Sequence, residues 1–170
     1  MDLVNNLEIP QPDQVTNKER SDAMGAYLMM FASYGISLPI PLLPVIASVI
    51  YFYVNKKSSR FVCFHSHQSL ISQLAISLLN AVLFGWIIAN LVAIAADIEF
   101  FLLEFNLYFW LSTILVTVLN IVYTVYSLIA CYYANKGRFY YFWFFGKISY
   151  KYAYSNKRND SMDFKNKPPV

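Results

Sequence analysis

The stretch QSLISQLAISLLNAVLFGWIIANLVAIAA, residues 68–96, contains no charged residue and no proline. It belongs to a charge-free run from Phe61 to Ala96, which is longer than the ~20 apolar residues that a helix needs to cross a bilayer. Hydrophobic residues make up 58% of the chain and charged residues 14%, whereas soluble domains have about half and about a quarter. The sequence therefore predicts an integral membrane protein with a spanning helix over residues 65–96.

Two other runs of the chain also lack charge, from Ala23 to Asn55 and from Phe105 to Asn135. The later run predicts a second spanning helix over residues 107–134. Gly137 follows this helix, and glycine readily adopts the left-handed conformation that ends helices. Two long crossings are therefore expected from the second half of the chain.

Three prolines, Pro39, Pro41 and Pro44, interrupt the first charge-free run. Proline removes a backbone donor and disfavours helix in the residue before it, so we expect two short helices on either side of the break. Neither piece reaches the length of a span, and residues 22–54 form either one broken span or a re-entrant hairpin. The excess of Lys and Arg after this region favours a single crossing with the N-terminus outside.

Basic and acidic residues are segregated along the chain. Lys56, Lys57 and Arg60 fill the connection before the first long helix. The cations after the last apolar run include Lys136, Arg138, Lys147, Lys151, Lys157 and Arg158. The connection between the two long helices instead carries Asp97, Glu99 and Glu104 as its only charges. Because Lys and Arg resist translocation, the basic segments and the C-terminus should face the cytoplasm. The location predicted is the bacterial cytoplasmic membrane, crossed more than once.

The segments around the spans complete an all-α architecture. Residues 1–21 are predicted to be a polar N-terminal arm, residues 22–148 the membrane domain, and residues 155–170 a disordered polar tail. In residues 137–154 aromatic side chains alternate with spaced cations, a composition typical of chain that lies at the headgroup level. The fold class is therefore a helical membrane protein with a proline-broken first helix, two long spans and a C-terminal interfacial aromatic segment.

Cys63, His65 and His67 are close in sequence and raise the question of a metal or catalytic site. Thiolate and imidazole are suitable zinc ligands, but residues two apart on a helix point about 200° apart. Ser66 with either histidine lacks a carboxylate to orient the base. No paired acid and base, phosphate-binding loop or nucleotide motif occurs elsewhere. We expect no enzyme, no cofactor, no metal site and no catalytic residue.

A polar stripe is the more plausible role of this region. His65 and Gln68 share a helix face, with Gln73 a further turn along, and Asn80 and Asn120 are polar positions within the two spans. A buried amide in lipid is costly without a partner. We therefore expect His65 and the glutamines to bind the broken first region near the cytoplasmic face.

The run PIPLLPVIASVIYFYVNKKSSRFVCFHSHQSLISQL, residues 39–74, is similar to a known signature. It resembles a family of small bacterial membrane proteins of unassigned function, related to the twenty-kilodalton channel subunit of the chloroplast inner-envelope import translocon. The matching positions are Pro41-Leu42 or Pro44, Lys56-Lys57, Phe61, His65, Gln68, Gln73 and the run from Ala134 to Tyr141. The resemblance covers residues 26–148, departs at Phe142 where relatives often carry proline, and implies a helical membrane protein related to protein translocation.

Two functional hypotheses remain open from the sequence. The first is a non-enzymatic membrane subunit or scaffold, whose partners are the bilayer and either another membrane protein or further copies of the chain, with no nucleic acid. The second is an oligomeric small-solute transporter or channel, lined by the proline break and by Gln68, Gln73, Asn80 and Asn120. Broken helices near the midplane of transporters are known binding sites, which makes Pro39–Pro44 the place to look.

Overall fold

The computed structural model describes residues 9–31, 42–96 and 106–155. These residues form helices and turns and contain no strand, so the all-α prediction is confirmed for the part of the chain described. The five α-helices are α1 (Asn17–Leu28), α2 (Leu43–Asn55), α3 (Arg60–Ala95), α4 (Leu107–Asn135) and α5 (Phe145–Tyr150). Short 3-10 turns at Pro12–Gln14 and Met29–Phe31 flank α1, and a π-helical turn at Lys151–Ser155 follows α5.

Side-chain caps determine where the helices begin. Thr16 and Glu19 form a reciprocal capping box at the start of α1, in which the Thr16 N–H donates to Glu19 Oε2 at 2.8 Å. Ser59 Oγ accepts from the Val62 N–H at 3.2 Å at the start of α3. Both caps satisfy backbone donors that a helix start otherwise leaves unpaired. As a result α1 begins five residues before the predicted position 22, and α3 begins five residues before the predicted position 65.

The end of α4 is a Schellman motif centred on Gly137. The Gly137 N–H donates to the Ala134 carbonyl at 2.9 Å, and the Arg138 N–H donates to the Tyr133 carbonyl at 3.0 Å. Gly137 has a φ of 70°, the left-handed conformation expected for this stop. The motif satisfies the last carbonyls of α4 and turns the chain back along the bundle.

Helices α3 and α4 form an antiparallel pair whose two halves differ. Twelve of the fourteen buried residues of α3 precede Leu78, and three of the four buried residues of α4 follow residue 120. We call residues 60–77 with 121–135 the proximal half, and residues 78–95 with 107–120 the distal half. Among the described residues, α1, α2 and α5 contact α3, and their side-chain bonds to it lie at Ser69, Gln73 and His67 of the proximal half.

Helices α1 and α2 run in opposite directions along the proximal half. Ser69 of α3 donates to the carbonyl of Ala26 near the end of α1, whereas Arg20 near its start binds the carbonyl of Pro12 at 2.6 Å beside Gly137. Helix α2 ends at Asn55, four residues before α3 begins. Asp22, whose carbonyl accepts from Tyr51, and Asn55 therefore lie toward the same end of the long helices; whether residues 22–54 cross a membrane once or re-enter it stays a prediction. Pro44 lies in the first turn of α2; Pro39 and Pro41 lie outside the described residues.

The C-terminal segment, residues 138–155, passes along the proximal half and returns. Phe139 contacts Phe61 at a ring-centroid distance of 5.2 Å, and Phe142 lies deeper, against Tyr126 at 5.9 Å. Phe142 is 5% exposed and belongs to the main hydrophobic cluster with Val15, Ala23, Tyr27, Phe61, Val62, Ala130 and Ala134. The predicted interfacial segment is thus partly a core element.

Candidate functional site

Seven polar side chains of α3 are buried in its first half: His65, Ser66, Gln68, Ser69, Ser72, Gln73 and Ser77. They recur at spacings of three and four residues, so they share the faces of α3 that α1, α2 and the C-terminal segment cover. In an apolar surrounding each unpaired polar group costs about 1–3 kcal/mol. Four of the seven, His65, Gln68, Ser69 and Gln73, bind groups on other elements and therefore fix how those elements are placed.

Gln68 is the centre of this arrangement. Its Nε2 donates to the Tyr27 hydroxyl at 2.9 Å and to the Tyr140 carbonyl at 2.9 Å, and its Oε1 accepts from the Phe142 N–H at 3.3 Å. One amide therefore joins α1, α3 and the C-terminal segment. We call Tyr27, His65, Gln68 and the Tyr140–Phe142 backbone the junction.

His65 extends the junction through Tyr27. The Tyr27 oxygen lies 2.9 Å from His65 Nδ1. Because Gln68 already donates to that oxygen, the Tyr27 hydroxyl proton is directed to Nδ1, and a neutral His65 carries its own proton on Nε2. His65 is fully buried and lies between the rings of Phe61 and Phe64, at 4.5 and 4.9 Å. Its position is that of a packed structural group.

Further polar contacts connect α3 to α1, α2 and α5. Ser69 donates to the Ala26 carbonyl at 2.7 Å, and the Ser48 hydroxyl of α2 donates to Gln73 Oε1. His67 Nδ1 lies 3.0 Å from the Ser149 hydroxyl, with its ring stacked on Tyr152 at 4.2 Å. The stripe on α3 thus contacts α1 and α2, on either side of the proline break. The contacts come from Tyr27, Ser48 and the Ala26 carbonyl.

Asn80 and Asn120 form a separate site. Asn80 Nδ2 donates to Asn120 Oδ1 at 3.0 Å, and Asn120 Nδ2 donates back at 2.8 Å. Asn80 is seven residues beyond Gln73, or about 10 Å along the helix. The five polar residues singled out in the sequence therefore divide into the junction with Gln73, and an asparagine pair that joins α3 to α4.

The asparagine pair gives a first prediction. Replacing Asn80 or Asn120 by alanine should each lower the free energy of unfolding, and the double variant should lose less than the sum, with a coupling of about 0.6–2 kcal/mol. Unfolding by SDS from mild-detergent micelles, followed by circular dichroism, measures the cycle. Thr113 provides the control, because among the described residues its hydroxyl bonds the Phe109 carbonyl of its own helix and no group on α3. Thr113→Ala should show no coupling to Asn80→Ala. Strict additivity of the two asparagine variants would contradict the pairing.

The histidines and Cys63 do not converge. His65 points to Tyr27 of α1, and His67 points to Ser149 of α5, as expected for positions two apart on a helix. The described residues contain no group of three or more His, Cys, Asp or Glu side chains placed to hold a metal ion. The site is therefore a junction of packed elements.

The partners of Gln68 were not identified from the sequence. Tyr27 was counted as part of an apolar run, and the Tyr140 carbonyl and Phe142 N–H are backbone groups without a sequence signal. One indication was present, since a buried histidine and glutamine in an apolar bundle require a hydroxyl or backbone partner. The tyrosine that the first apolar run carries near its start is such a partner.

The outer surface of the bundle is strongly apolar. Helices α3 and α4 are long and apolar enough to cross a membrane, since each contains a stretch of 18 residues whose mean hydropathy is 2.2 in α3 and 2.1 in α4; α2 is a shorter apolar helix. At 1.5 Å per residue, α3 is about 54 Å long and α4 about 44 Å. Large side chains such as Val82, Ile94 and Leu107 are at least two-thirds exposed. So much exposed apolar surface is typical of a small helical membrane protein.

The chain belongs to the MamF/MmsF family, the magnetosome magnetite crystal formation protein family, whose model matches residues 18–149. The match includes α1 to α4 and most of α5. No curated protein and no solved structure matches the chain. Membership of a magnetosome family agrees with the predicted membrane protein, whereas the number of crossings and the side of the C-terminus stay predictions.

The resemblance to the import-channel-related family is corrected by this match. The residues that carried it, chiefly Phe61, His65 and Gln68, are those that pack α3 against α1 and the C-terminal segment. A resemblance carried by such packing residues is evidence for a similar arrangement of helices, and a similar arrangement does not establish a shared function. The analogy to protein translocation therefore has no support.

Proposed function

We propose that this chain is a non-enzymatic membrane subunit or scaffold that contributes to magnetite crystal formation. The observation that carries the proposal is the family match over residues 18–149, which spans both the apolar α3–α4 pair and the elements packed around its proximal half. In the proposed arrangement α3 and α4 cross the membrane. The proximal end, with Lys57, Lys136 and Arg138 exposed, faces the cytoplasm.

A scaffold role is supported by how the polar side chains are used. Gln68, Gln73 and the two asparagines bind partners within the chain, so they act in holding elements together. The proximal end presents exposed aromatic surface instead, with Trp143 94% and Tyr141 45% exposed. Exposed aromatic side chains beside cations suit contact with lipid or with another protein.

The test is deletion of the gene in a magnetite-forming bacterium that carries it. We expect crystals of altered size or number by electron microscopy, restored by the wild-type chain. A variant with the junction broken, Gln68→Leu, should fail to restore them at matched expression, whereas Thr113→Ala should restore them. Unchanged crystals after deletion would overturn the assignment.

Photocrosslinking separates the possible assemblies. A photoreactive residue at Tyr141 or Trp143 reaches the exposed surface, whereas position 65 is fully buried and would disturb the junction. One recurrent protein partner, or adducts between copies of the chain, would support the subunit proposal. Lipid adducts at Trp143 do not decide the question, whereas lipid as the sole adduct at Tyr141 would contradict the proposal.

A further inference from the structure

The other helices pack around only one end of the α3–α4 pair among the described residues. Among the described residues α1, α2 and α5 lie along the proximal half, whereas in the distal half α3 and α4 contact each other, as Trp86 does Phe109 at 5.6 Å. The distal half carries outward side chains that are largely exposed, including Val82 at 70% and Leu107 at 69%. The cross-section formed by the described residues is therefore larger at the basic end.

The C-terminal segment adds an aromatic tip to this wide end. Phe142 and Gly146 both lie against Gln68, and Tyr154 returns to Arg60, whose guanidinium is 5.9 Å from the ring. Between them Trp143 is 94% exposed and Phe144 73% exposed. The tip lies at the level of Gln68, 27 residues from Ala95. This is about 40 Å of helix, the thickness of a bilayer with its headgroups.

Helix α2 carries apolar surface deeper along the same side. Ser48 binds Gln73, five residues beyond the tip level, and α2 begins five residues before Ser48. Its first turn therefore lies about 15 Å beyond the tip, or roughly three-quarters of the distance from the headgroup level to the midplane of a ~40 Å bilayer. Ile46 and Ile50, both more than half exposed, face outward from this helix. The extra volume thus occupies one leaflet, from the headgroups to near the midplane.

We propose that the molecule is a wedge in the bilayer, which binds preferentially to membrane that is convex on its basic side. Lipids of the leaflet on the basic side contact the exposed aromatic tip and the outer face of α2. In a convex leaflet the headgroups are spread apart, so additional protein cross-section and inserted aromatic rings fit there at lower cost than in a flat leaflet. Lys57, Lys136 and Arg138, all exposed at this end, lie where anionic headgroups would meet them. This inference rests on the membrane insertion in the proposed function.

Membrane tubes pulled from giant vesicles test the inference. The full chain, with a fluorescent protein after Val170, is reconstituted into phosphatidylcholine vesicles that contain phosphatidylserine as the minor lipid. A protease added outside removes the fluorophore from molecules whose basic end faces outward, so the two orientations are measured separately. We expect outward molecules to be at least about twofold denser per lipid in a narrow tube than in the vesicle, and inward molecules to be depleted. Equal densities for both orientations would overturn the wedge.

Flotation of the same vesicles distinguishes the two possible failures. If the protein does not float with lipid and is extracted by carbonate, membrane insertion fails, and with it the proposed function. If it floats but is not sorted by curvature, the wedge alone is wrong. The Trp143→Ser, Phe144→Ser double variant should float normally and lose at least half of the tube enrichment. The matched control is Trp110→Ser, which removes an aromatic side chain 56% exposed in the distal half and should retain the enrichment. If the double variant kept the wild-type enrichment in the tube, the exposed aromatic tip would not contribute to curvature preference, and that part of the proposal would be wrong.

Discussion

Replacing Gln68 by leucine is expected to lower the free energy of unfolding by about 3–5 kcal/mol. Leucine is close to glutamine in volume, so the loss comes from hydrogen bonds. The change leaves the Tyr140 carbonyl and Phe142 N–H without the partner that the structure shows, and removes one of the two partners of the Tyr27 hydroxyl. Each buried group left unpaired costs about 1–3 kcal/mol. Chemical unfolding in mild detergent, followed by tryptophan fluorescence, measures the change.

Two comparisons show whether the loss is specific to the junction. Gln73→Leu removes one bond, from Ser48, and should cost about 1–3 kcal/mol. Limited trypsin digestion gives the local readout, because Lys147 and Lys151 lie on the C-terminal segment that Gln68 holds. We expect faster cleavage there in Gln68→Leu than in Gln73→Leu at equal temperature. An unfolding midpoint and cleavage rate like those of the wild type would show that Gln68 does not hold the segment.

The two long helices were predictable from the sequence because a helix that crosses a bilayer must exclude charged residues over most of its length. A charge-free run and a glycine stop were sufficient to predict α4 to within one residue of its end. The start of α3 was predicted five residues too late, because the hydroxyl of Ser59 was not assigned as the group that caps the helix. The approximate length of a spanning helix follows from composition, whereas the residue at which α3 begins depends on the single hydrogen bond between Ser59 and the Val62 N–H.

Helix α1 shows a different limit of sequence reasoning. Its residues NKERSDAMGAYL are mostly polar, so the first half read as an arm. The helix forms because Thr16 and Glu19 cap it and because Ala23, Ala26 and Tyr27 are buried on one face. Three small or amphipathic side chains among charges give a weak periodic signal. Tertiary packing supplies the stability that the pattern does not show.

The C-terminal segment was ambiguous because aromatic side chains suit both a lipid interface and a protein core. The structure divides them: Phe139 and Phe142 pack inward, and Trp143 and Phe144 face outward. Gln68 makes the division, since it binds the backbone on both sides of Tyr141. Composition therefore predicted a segment at the membrane surface, and the backbone contacts of one amide determined which face is buried.

Gly146→Ala is expected to destabilise the protein by about 1–3 kcal/mol through overpacking, and Gly146→Val by more. A Cβ at this position would lie 2.8 Å from Tyr141 Cβ, 2.9 Å from Tyr141 Cα and 3.1 Å from Gln68 Oε1. The first two atoms belong to or adjoin the backbone, so the chain itself must move. The movement would draw Phe142 away from Gln68 and open the junction. Thermal unfolding in detergent, followed by circular dichroism, measures the loss.

Gly85→Ala is the matched control, because a Cβ on Gly85 meets nothing within 4 Å and alanine favours helix by up to about 1 kcal/mol. We expect this variant to equal or exceed the wild type in stability. Because Gly146 and Gln68 share one contact, Gly146→Ala combined with Gln68→Leu should cost less than the sum of the two single changes. A Gly146→Ala variant as stable as Gly85→Ala, or full additivity with Gln68→Leu, would mean that the segment does not approach α3 closely enough to depend on glycine.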